Sequence, residues 1–361
     1  MNIVNLKDIG LNEKYMMEAK IYDKNLYIGR VSVQHKNIYK VITEEGEIKA
    51  EVSGKFSYSS FGNVDYPVVG DWVLVDRKND SCGNGVIHHV LKRKSYFERK
   101  IAGTAYDTQI VAANIDRVFI CMSLNNDFNL RKLERYVATA WNSGAEPVIV
   151  LTKSDLCNDL ENKVMQVKTV VSGCEMLVTN SINEEGYKVV KPYIENGKTI
   201  AFIGSSGVGK STLINKIIGS DELKTNEVDE NDRGKHTTTY RQMLIIPNGG
   251  TIIDTPGMRE LGVVAADLDR SFSDIEELIA MCKFSNCTHR NEPKCAIREA
   301  IENGILDERR FESYKKLQKE LEYNNIKGKE LKKRKNNLIF KSKSELKNNN
   351  KNKLKIQDKI F

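Results

Sequence analysis

The sequence predicts a multidomain protein: an all-β barrel, then an α/β domain on a parallel sheet with a phosphate-binding loop, then a small α-helical domain around a metal-binding knot. Three observations carry this. Short alternating segments punctuated by turn residues come first, strands alternating with helical periods follow, and Cys282, Cys287, His289 and Cys295 crowd a polar stretch near the end. A length of 361 residues agrees, since domains average about 150 residues. The expected boundaries are 1–98, 104–265 and 266–325, with 326–361 as a basic, disordered or extended tail.

Within 1–98, Glu18 to Tyr22, Leu26 to Val33, Ile38 to Ile42, Ile48 to Val52, Asp71 to Val75 and Val86 to Leu91 read as strands. Turn chemistry separates them at Asp23-Lys24-Asn25, Glu45-Gly46, Val69-Gly70-Asp71 and Asn79-Asp80-Ser81, the rhythm of a small closed barrel. From about residue 104 the period changes. Arg117 to Ser123 reads as a strand, and Leu130, Leu133, Tyr136, Val137, Ala140 and Trp141 recur at helical spacing until Gly144. Pro147 to Thr152 reads as a strand, Leu160 to Val171 as a helix, and Met176 to Thr179 and Thr199 to Ile203 as strands. A helix from Lys210 and strands Gln242 to Ile246 and Thr251 to Asp254 complete the pattern, which implies a parallel sheet with helices on both faces. Beyond residue 265, Phe272, Ile275, Leu278 and Ile279 mark one helix face and Phe311 to Tyr323 another amphipathic helix.

Gly204-Ser205-Ser206-Gly207-Val208-Gly209-Lys210-Ser211, followed by Thr212, fits a phosphate-binding loop between a strand and a helix. Glycines are needed because only a loop without side-chain bulk wraps its amides around a phosphate. The helix adds its positive end, Lys210 neutralises β- and γ-oxygens, and the Ser211 hydroxyl fits a Mg²⁺ shell. Asp254-Thr255-Pro256-Gly257 ends a strand 44 residues after Lys210. Its carboxylate can hold Mg²⁺ through water, and the Gly257 amide can meet a γ-phosphate. Between them, Gly234-Lys235-His236-Thr237-Thr238-Thr239 follows a polar, acidic stretch expected to be mobile, in which Thr238 can close on Mg²⁺.

Thr152-Lys153-Ser154-Asp155 follows a strand, and in this position an aspartate accepts two hydrogen bonds from the N1 and N2 donors of guanine, which adenine does not offer. A helix cap is the ordinary explanation of such a tetrapeptide. Thr179-Asn180-Ser181, at the end of the next strand, supplies a backbone amide for guanine O6. The base motif precedes the phosphate loop, with Asp155 55 residues before Lys210. In the usual order it follows the phosphate motifs. The strands keep their spatial neighbours only if the domain is circularly permuted.

These motifs, with Ala113-Asn114-Ile115-Asp116 and the cysteine cluster, resemble the circularly permuted, ribosome small subunit-dependent GTPases of bacteria, the RsgA/YjeQ family, over roughly residues 20 to 325. The resemblance implies an OB-fold, a permuted P-loop GTPase domain and a helical zinc-binding domain. It also implies Mg²⁺-dependent GTP hydrolysis in late maturation of the small ribosomal subunit, with that subunit and its rRNA as partners. The family often has asparagine where Thr152 stands, which implies weaker hydrogen bonding between the base and phosphate loops here. On an OB-fold, Tyr27, Arg30, Tyr39 and Lys40 are candidate RNA contacts. Half-buried strand roles explain the tyrosines equally well.

Met258 stands where many GTPases carry a glutamine that orients water, so intrinsic hydrolysis should be slow. His236 is the candidate for the missing group, acting when a partner binds; a purely structural histidine is the alternative. Cys282-x₄-Cys287-x-His289-x₅-Cys295 supplies three thiolates and an imidazole, the donor set of a closed structural zinc site. The other four of the seven cysteines are scattered, which with no export signal argues against a disulfide framework.

The net charge is +7, but 326–361 alone carries 13 Lys and Arg against three acids, so the remaining residues sum to −3. The basicity belongs to the tail, read as a tether for rRNA phosphates. A 40% hydrophobic fraction excludes a wholly disordered chain, and no apolar run approaches the roughly 20 residues of a membrane span. Residues Lys7, Asp8, Glu13 and Lys14 without an apolar segment do not make a signal peptide, so the expected protein is cytoplasmic; a monomer is also expected. Two other classes fit the motifs: an RNA-binding module with a structural nucleotide, and a P-loop phosphotransferase.

Overall fold

A computed structural model describes residues 4–35, 37–60, 64–81, 83–100, 108–171, 173–180, 184–219, 241–246, 249–254 and 267–323. The alternation in the amino-terminal part produces five strands, β1 (Tyr27–His35), β2 (Ile38–Thr43), β3 (Gly46–Val52), β4 (Trp72–Val75) and β5 (Gly85–Val90). They pair in the order β1-β2-β3-β5-β4, and β4 returns to β1, closing an OB-like barrel. Only β3 and β5 run parallel within it. Val31, Val41, Ile48, Ala50, Val73, Val75 and Ile87 fill its interior together with Tyr39.

Two expectations fail here. Glu18 to Tyr22 is not a strand: α1 (Glu13–Ala19) ends within it and a turn follows, the helix being started by the Asn12 side chain, which accepts from the Tyr15 amide. The helix is held by Tyr15, 1% exposed, whose hydroxyl donates to Asn114 Oδ1 at 3.0 Å. Tyr39 and Arg30 are not RNA contacts. Tyr39 is 2% exposed, in the barrel core, and Arg30 is 1% exposed, beneath the barrel. Tyr27 lies under the Lys78 ammonium and Lys40 pairs with Glu47 at 2.7 Å, both at the surface. A short α2 (Gly54–Ser59), capped by Ser53, and an antiparallel hairpin of β6 (Tyr96–Lys100) with β7 (Thr108–Ala113) are elements the sequence reading lacked.

The α/β part follows the apolar runs closely: β8 (Arg117–Ser123), α3 (Leu130–Ser143), β9 (Glu146–Thr152), α4 (Leu160–Val170), β10 (Glu175–Val178), α5 (Glu184–Lys188), β11 (Thr199–Ile203), α6 (Lys210–Ile218), β12 (Arg241–Ile245) and β13 (Thr251–Asp254). The spatial order is β10-β9-β8-β11-β13-β12, parallel throughout except for β12 at the far side. Because side chains alternate along a strand, each contributes to two cores. Val118, Ile120, Ile149, Leu151, Ala201 and Ile203 pack with α3 and α4, while Phe119, Val148, Val150, Ile200 and Phe202 pack with α6.

The barrel joins this sheet edge to edge. Strand β12 pairs antiparallel with β1, Val33 opposite Gln242 and Gln34 opposite Arg241, giving one sheet of 11 strands. Arg30 secures the junction. It donates to the carbonyls of Ile9, Gly70 (3.2 Å) and Asn114 (3.3 Å), to Thr199 Oγ1 on β11 (2.8 Å) and to Thr251 Oγ1 on β13 (3.5 Å), and lies 5.3 Å from the centre of the Trp72 ring. Burial pushes this guanidinium down to about 10, so it stays charged at neutral pH.

The carboxy-terminal part comprises α7 (Leu268–Ser271), α8 (Ser273–Ala280), α9 (Ala296–Glu302) and α10 (308–323) around Phe272, Ile275, Ile297, Phe311, Tyr314 and Leu317. It docks on α3 through charge. Buried Arg310 meets Glu134 of α3 at 2.8 Å and Asp274 at 2.7 Å, while Arg135 pairs with Glu320 at 2.6 Å and Arg131 with Asp307 at 2.8 Å. Among the described residues no helix is long and apolar enough to cross a membrane.

Replacing Arg30 by methionine leaves several buried acceptors without their donor. The expected loss is about 3 kcal/mol of stability, read as a lower midpoint in chemical denaturation. A midpoint equal to that of the parent protein contradicts the structural role given to Arg30.

Candidate nucleotide site and cysteine knot

Strand β11 delivers the chain to the glycine loop at a place where only glycine fits. Gly204 has φ +142°, and a Cβ there would lie 2.3 Å from the Cys121 carbonyl oxygen of the neighbouring β8. The loop then turns through left-handed Gly207 (φ +78°) and Gly209 (φ +93°), and α6 begins at Lys210. Lys210 is 6% exposed, and its ammonium donates to the carbonyls of Gly204 (2.8 Å) and Ser205 (2.5 Å), arching over the loop. Ser206 and Val208 lie within this loop, with Val208 buried, and Ser211 and Thr212 form the half-buried first turn of α6. Asp254 is buried at the carboxyl end of β13, whose Ile253 is in register with Ala201 of β11.

The base motif comes to the same edge from the other side. Thr152 ends β9 and its hydroxyl donates to the Val208 carbonyl at 2.6 Å, joining the base loop to the phosphate loop. The shorter threonine, where the family often has asparagine, thus keeps a direct bond between the loops. Lys153 takes a left-handed φ of +56°, and the turn Ser154–Leu156 presents Asp155 at the surface. After β10, buried Thr179 donates its amide to Leu151 O at 2.7 Å and accepts from the Ser154 amide at 3.2 Å. The Asn180 amide donates to Gly186 O at 3.2 Å. Thr152 to Asp155 and Thr179 to Asn180 therefore form adjoining loops beside Val208. Ser181, His236, Thr238, Gly257 and Met258 lie outside the described residues.

One neighbour of the loop carries no sequence signature. Lys132, in the first turn of α3, places its ammonium 3.3 Å from Ser205 Oγ and 2.9 Å from Asp127. Helical periodicity marks it as a solvated position and gives no sign of this neighbour.

In the carboxy-terminal part, the donor atoms of Cys282, Cys287, His289 and Cys295 all lie within 4.8 Å of one another. His289 Nδ1 stands 3.6 Å from Cys282 Sγ and 3.5 Å from Cys295 Sγ, and those two sulfurs are 4.0 Å apart. Sulfur and nitrogen donors of a tetrahedral zinc stand about 3.5 to 3.8 Å apart when the metal bonds are about 2.0 to 2.3 Å, so the donor set fits. Burial pushes the His289 imidazole down, favouring the neutral form that ligates. The loop is tied by Glu292, whose carboxylate accepts from Thr288 Oγ1 (2.6 Å) and from the amides of Thr288 (2.9 Å), Arg290 (2.9 Å) and Asn291 (3.1 Å). Those bonds, the Thr288 hydroxyl first, pull the Glu292 carboxyl down to about 2. They also hold His289 in its left-handed conformation, φ +58°.

The strand order and the convergence of these loops define a circularly permuted P-loop GTPase. The profile of the family described as RsgA GTPase matches residues 90–264. The Small ribosomal subunit biogenesis GTPase RsgA 2 of Lactiplantibacillus plantarum is 43% identical over 346 residues, covering 95% of this chain and 97% of that one. Among solved structures, YjeQ from Thermotoga maritima superposes with TM-score 0.61 at 29% identity, over 82% of this chain and 98% of that one. YloQ, described as a circularly permuted GTPase, shares the fold with TM-score 0.57 at 24% identity, over 82% and 95% of the two chains. The chain belongs to the RsgA GTPase family.

Proposed function

We propose that this protein hydrolyses GTP as a late-acting factor in small ribosomal subunit biogenesis, binding rRNA and leaving on hydrolysis. The observation that carries the reading is the meeting of the Thr152 hydroxyl and the Val208 carbonyl at 2.6 Å, which fuses a guanine-type motif to a phosphate loop that follows it in sequence. The related L. plantarum protein, named a small ribosomal subunit biogenesis GTPase, matches nearly the whole chain. In this reading Gly204 to Thr212 hold the phosphates, and Ser211, Thr238 and Asp254 hold Mg²⁺. Lys153 and Asp155 take the guanine, with Thr179, Asn180 and Ser181 flanking it. Lys210 and the Gly257 amide stabilise the transferring phosphoryl group. His236 replaces the glutamine that Met258 displaces, and it acts when the small subunit binds.

The barrel and the cysteine domain dock on the subunit, and 326–361 adds a phosphate-seeking tether to a cytoplasmic monomer. Zinc held by Cys282, Cys287, His289 and Cys295 would supply folding energy for the small helical domain, since no ligand position is left for water. The three distances among Cys282, His289 and Cys295, at 3.5 to 4.0 Å, support it.

Phosphate release from GTP, measured with and without purified small subunits, tests the catalytic reading. A slow intrinsic rate raised strongly by subunits, and lost in His236→Ala, is expected. No turnover under either condition favours an RNA-binding module with a structural nucleotide, and phosphorylation of another substrate favours a phosphotransferase. For the metal, the purified protein should contain about one zinc per chain, and Glu292→Ala should speed its loss to a chelator about tenfold. Stoichiometric absence of metal in a folded domain refutes the zinc assignment.

A further inference from the structure

Two ammonium groups converge on one residue of the phosphate loop. Lys210 donates to the Ser205 carbonyl at 2.5 Å, and Lys132 donates to the Ser205 hydroxyl at 3.3 Å. The first belongs to the loop motif, whose lysine serves the β- and γ-phosphates. Lys210 therefore marks the β/γ end of the site, and sharing Ser205 places Lys132 at that same end. Lys132 comes from a different element, the first turn of α3, where its own amide and that of Arg131 are capped by Asn129 Oδ1 at 3.1 and 3.0 Å.

We propose that Lys132 is a second phosphate-contacting lysine of this site, one that engages the terminal phosphate of GTP and makes the site favour the triphosphate over the diphosphate. It rests on the assignment of Gly204 to Thr212 as the phosphate loop. Its partner in the structure is Asp127 at 2.9 Å, and the two side chains are 49% and 28% exposed. An ion pair so open to solvent stabilises little, so it yields to a ligand of higher charge. The terminal phosphate of GTP offers about two negative charges where Asp127 offers one. The lysine stem is flexible, with rotatable donors, so the ammonium can leave Asp127 while α3 stays fixed. Asp127 holds the ammonium near the loop meanwhile, itself fixed by its amide donating to Asn125 Oδ1 at 3.2 Å. GDP lacks the charge at this end and gains correspondingly less.

Calorimetric titration of the full-length protein with GDP and with a non-hydrolysable GTP analogue, in Mg²⁺ buffer, reads this directly. Lys132→Met should weaken the analogue about tenfold and GDP less than about twofold, while Lys132→Arg keeps most of the analogue affinity. Asp127→Asn, which releases the ammonium, should widen the preference for the analogue. Equal losses for both nucleotides in Lys132→Met, or no loss for either, overturn the proposal. Lys210→Ala serves as the reference: it should lose both nucleotides. If it binds both as the parent protein does, the phosphate-loop assignment itself fails, a result distinguishable from a failure of Lys132 alone.

Discussion

Everything in this molecule is organised by the parallel pairing of β11 with β8 on one side and β13 on the other. Parallel neighbours deliver their carboxyl ends to one edge of a sheet, and ligands bind where the connections diverge there. Here the three strands carry Gly204, the loop after Ser123 and Asp254 to that edge, with β9 adding Thr152 one strand further out. The chain reaches these strands in the order β8, β9, β10, β11, β12, β13, so the loops at Thr152 to Asp155 and Thr179 to Asn180 are made before the glycine loop. Permutation is tolerated because the contacts that define the site are between strands, not between successive segments. Only Gly204, pressed against the Cys121 carbonyl, and Val208, bonded to Thr152, have to be right locally.

The same sheet is the frame for both flanking domains. On its β12 side the barrel continues the hydrogen-bonded ladder through β1, and Arg30 crosses beneath to reach Thr199 and Thr251. Among the described residues no carboxylate lies at bonding distance of this buried guanidinium, which is held by carbonyls and hydroxyls from the barrel, the amino-terminal segment and the sheet. Each part loses a partner if another shifts. On the α3 side the helical domain rests on Arg310, Arg131 and Arg135, while α3 also carries Lys132 to the phosphate loop. Helix α3 thus touches the glycine loop at its first turn and the cysteine-bearing domain along its length. Buried Glu134 accepts from both Arg131 and Arg310 and so links α3 to that domain.

Legibility in the sequence followed the range of the interactions. The strands of the α/β part were readable because both faces are buried and the apolar runs are continuous, as in Val118 to Met122 and Val148 to Leu151. The phosphate loop and the Cys-x₄-Cys-x-His-x₅-Cys cluster were readable because their chemistry fixes spacing along the chain. Helix α1 was misread since its identity rests on an Asn12 cap and on Tyr15 reaching Asn114, a contact 99 residues away. The hairpin β6–β7 was hidden by Glu98, Arg99 and Lys100, which mask the apolar alternation around Phe97. Arg30 looked like a surface cation because nothing local announces that acceptors from five distant segments surround it. Lys132 was invisible for the same reason.

The most direct measurement of the central claim, that a guanine-reading loop and a phosphate loop form one site in permuted order, is nucleotide selectivity of Asp155→Asn. An asparagine amide cannot accept both guanine donors but can donate to the extra carbonyl of xanthine. Competition binding should therefore show GTP affinity falling and XTP affinity rising in this variant, with Mg²⁺ dependence unchanged. Unaltered GTP affinity, with no gain for XTP, contradicts the placement of the base beside Asp155 and with it the assembled site.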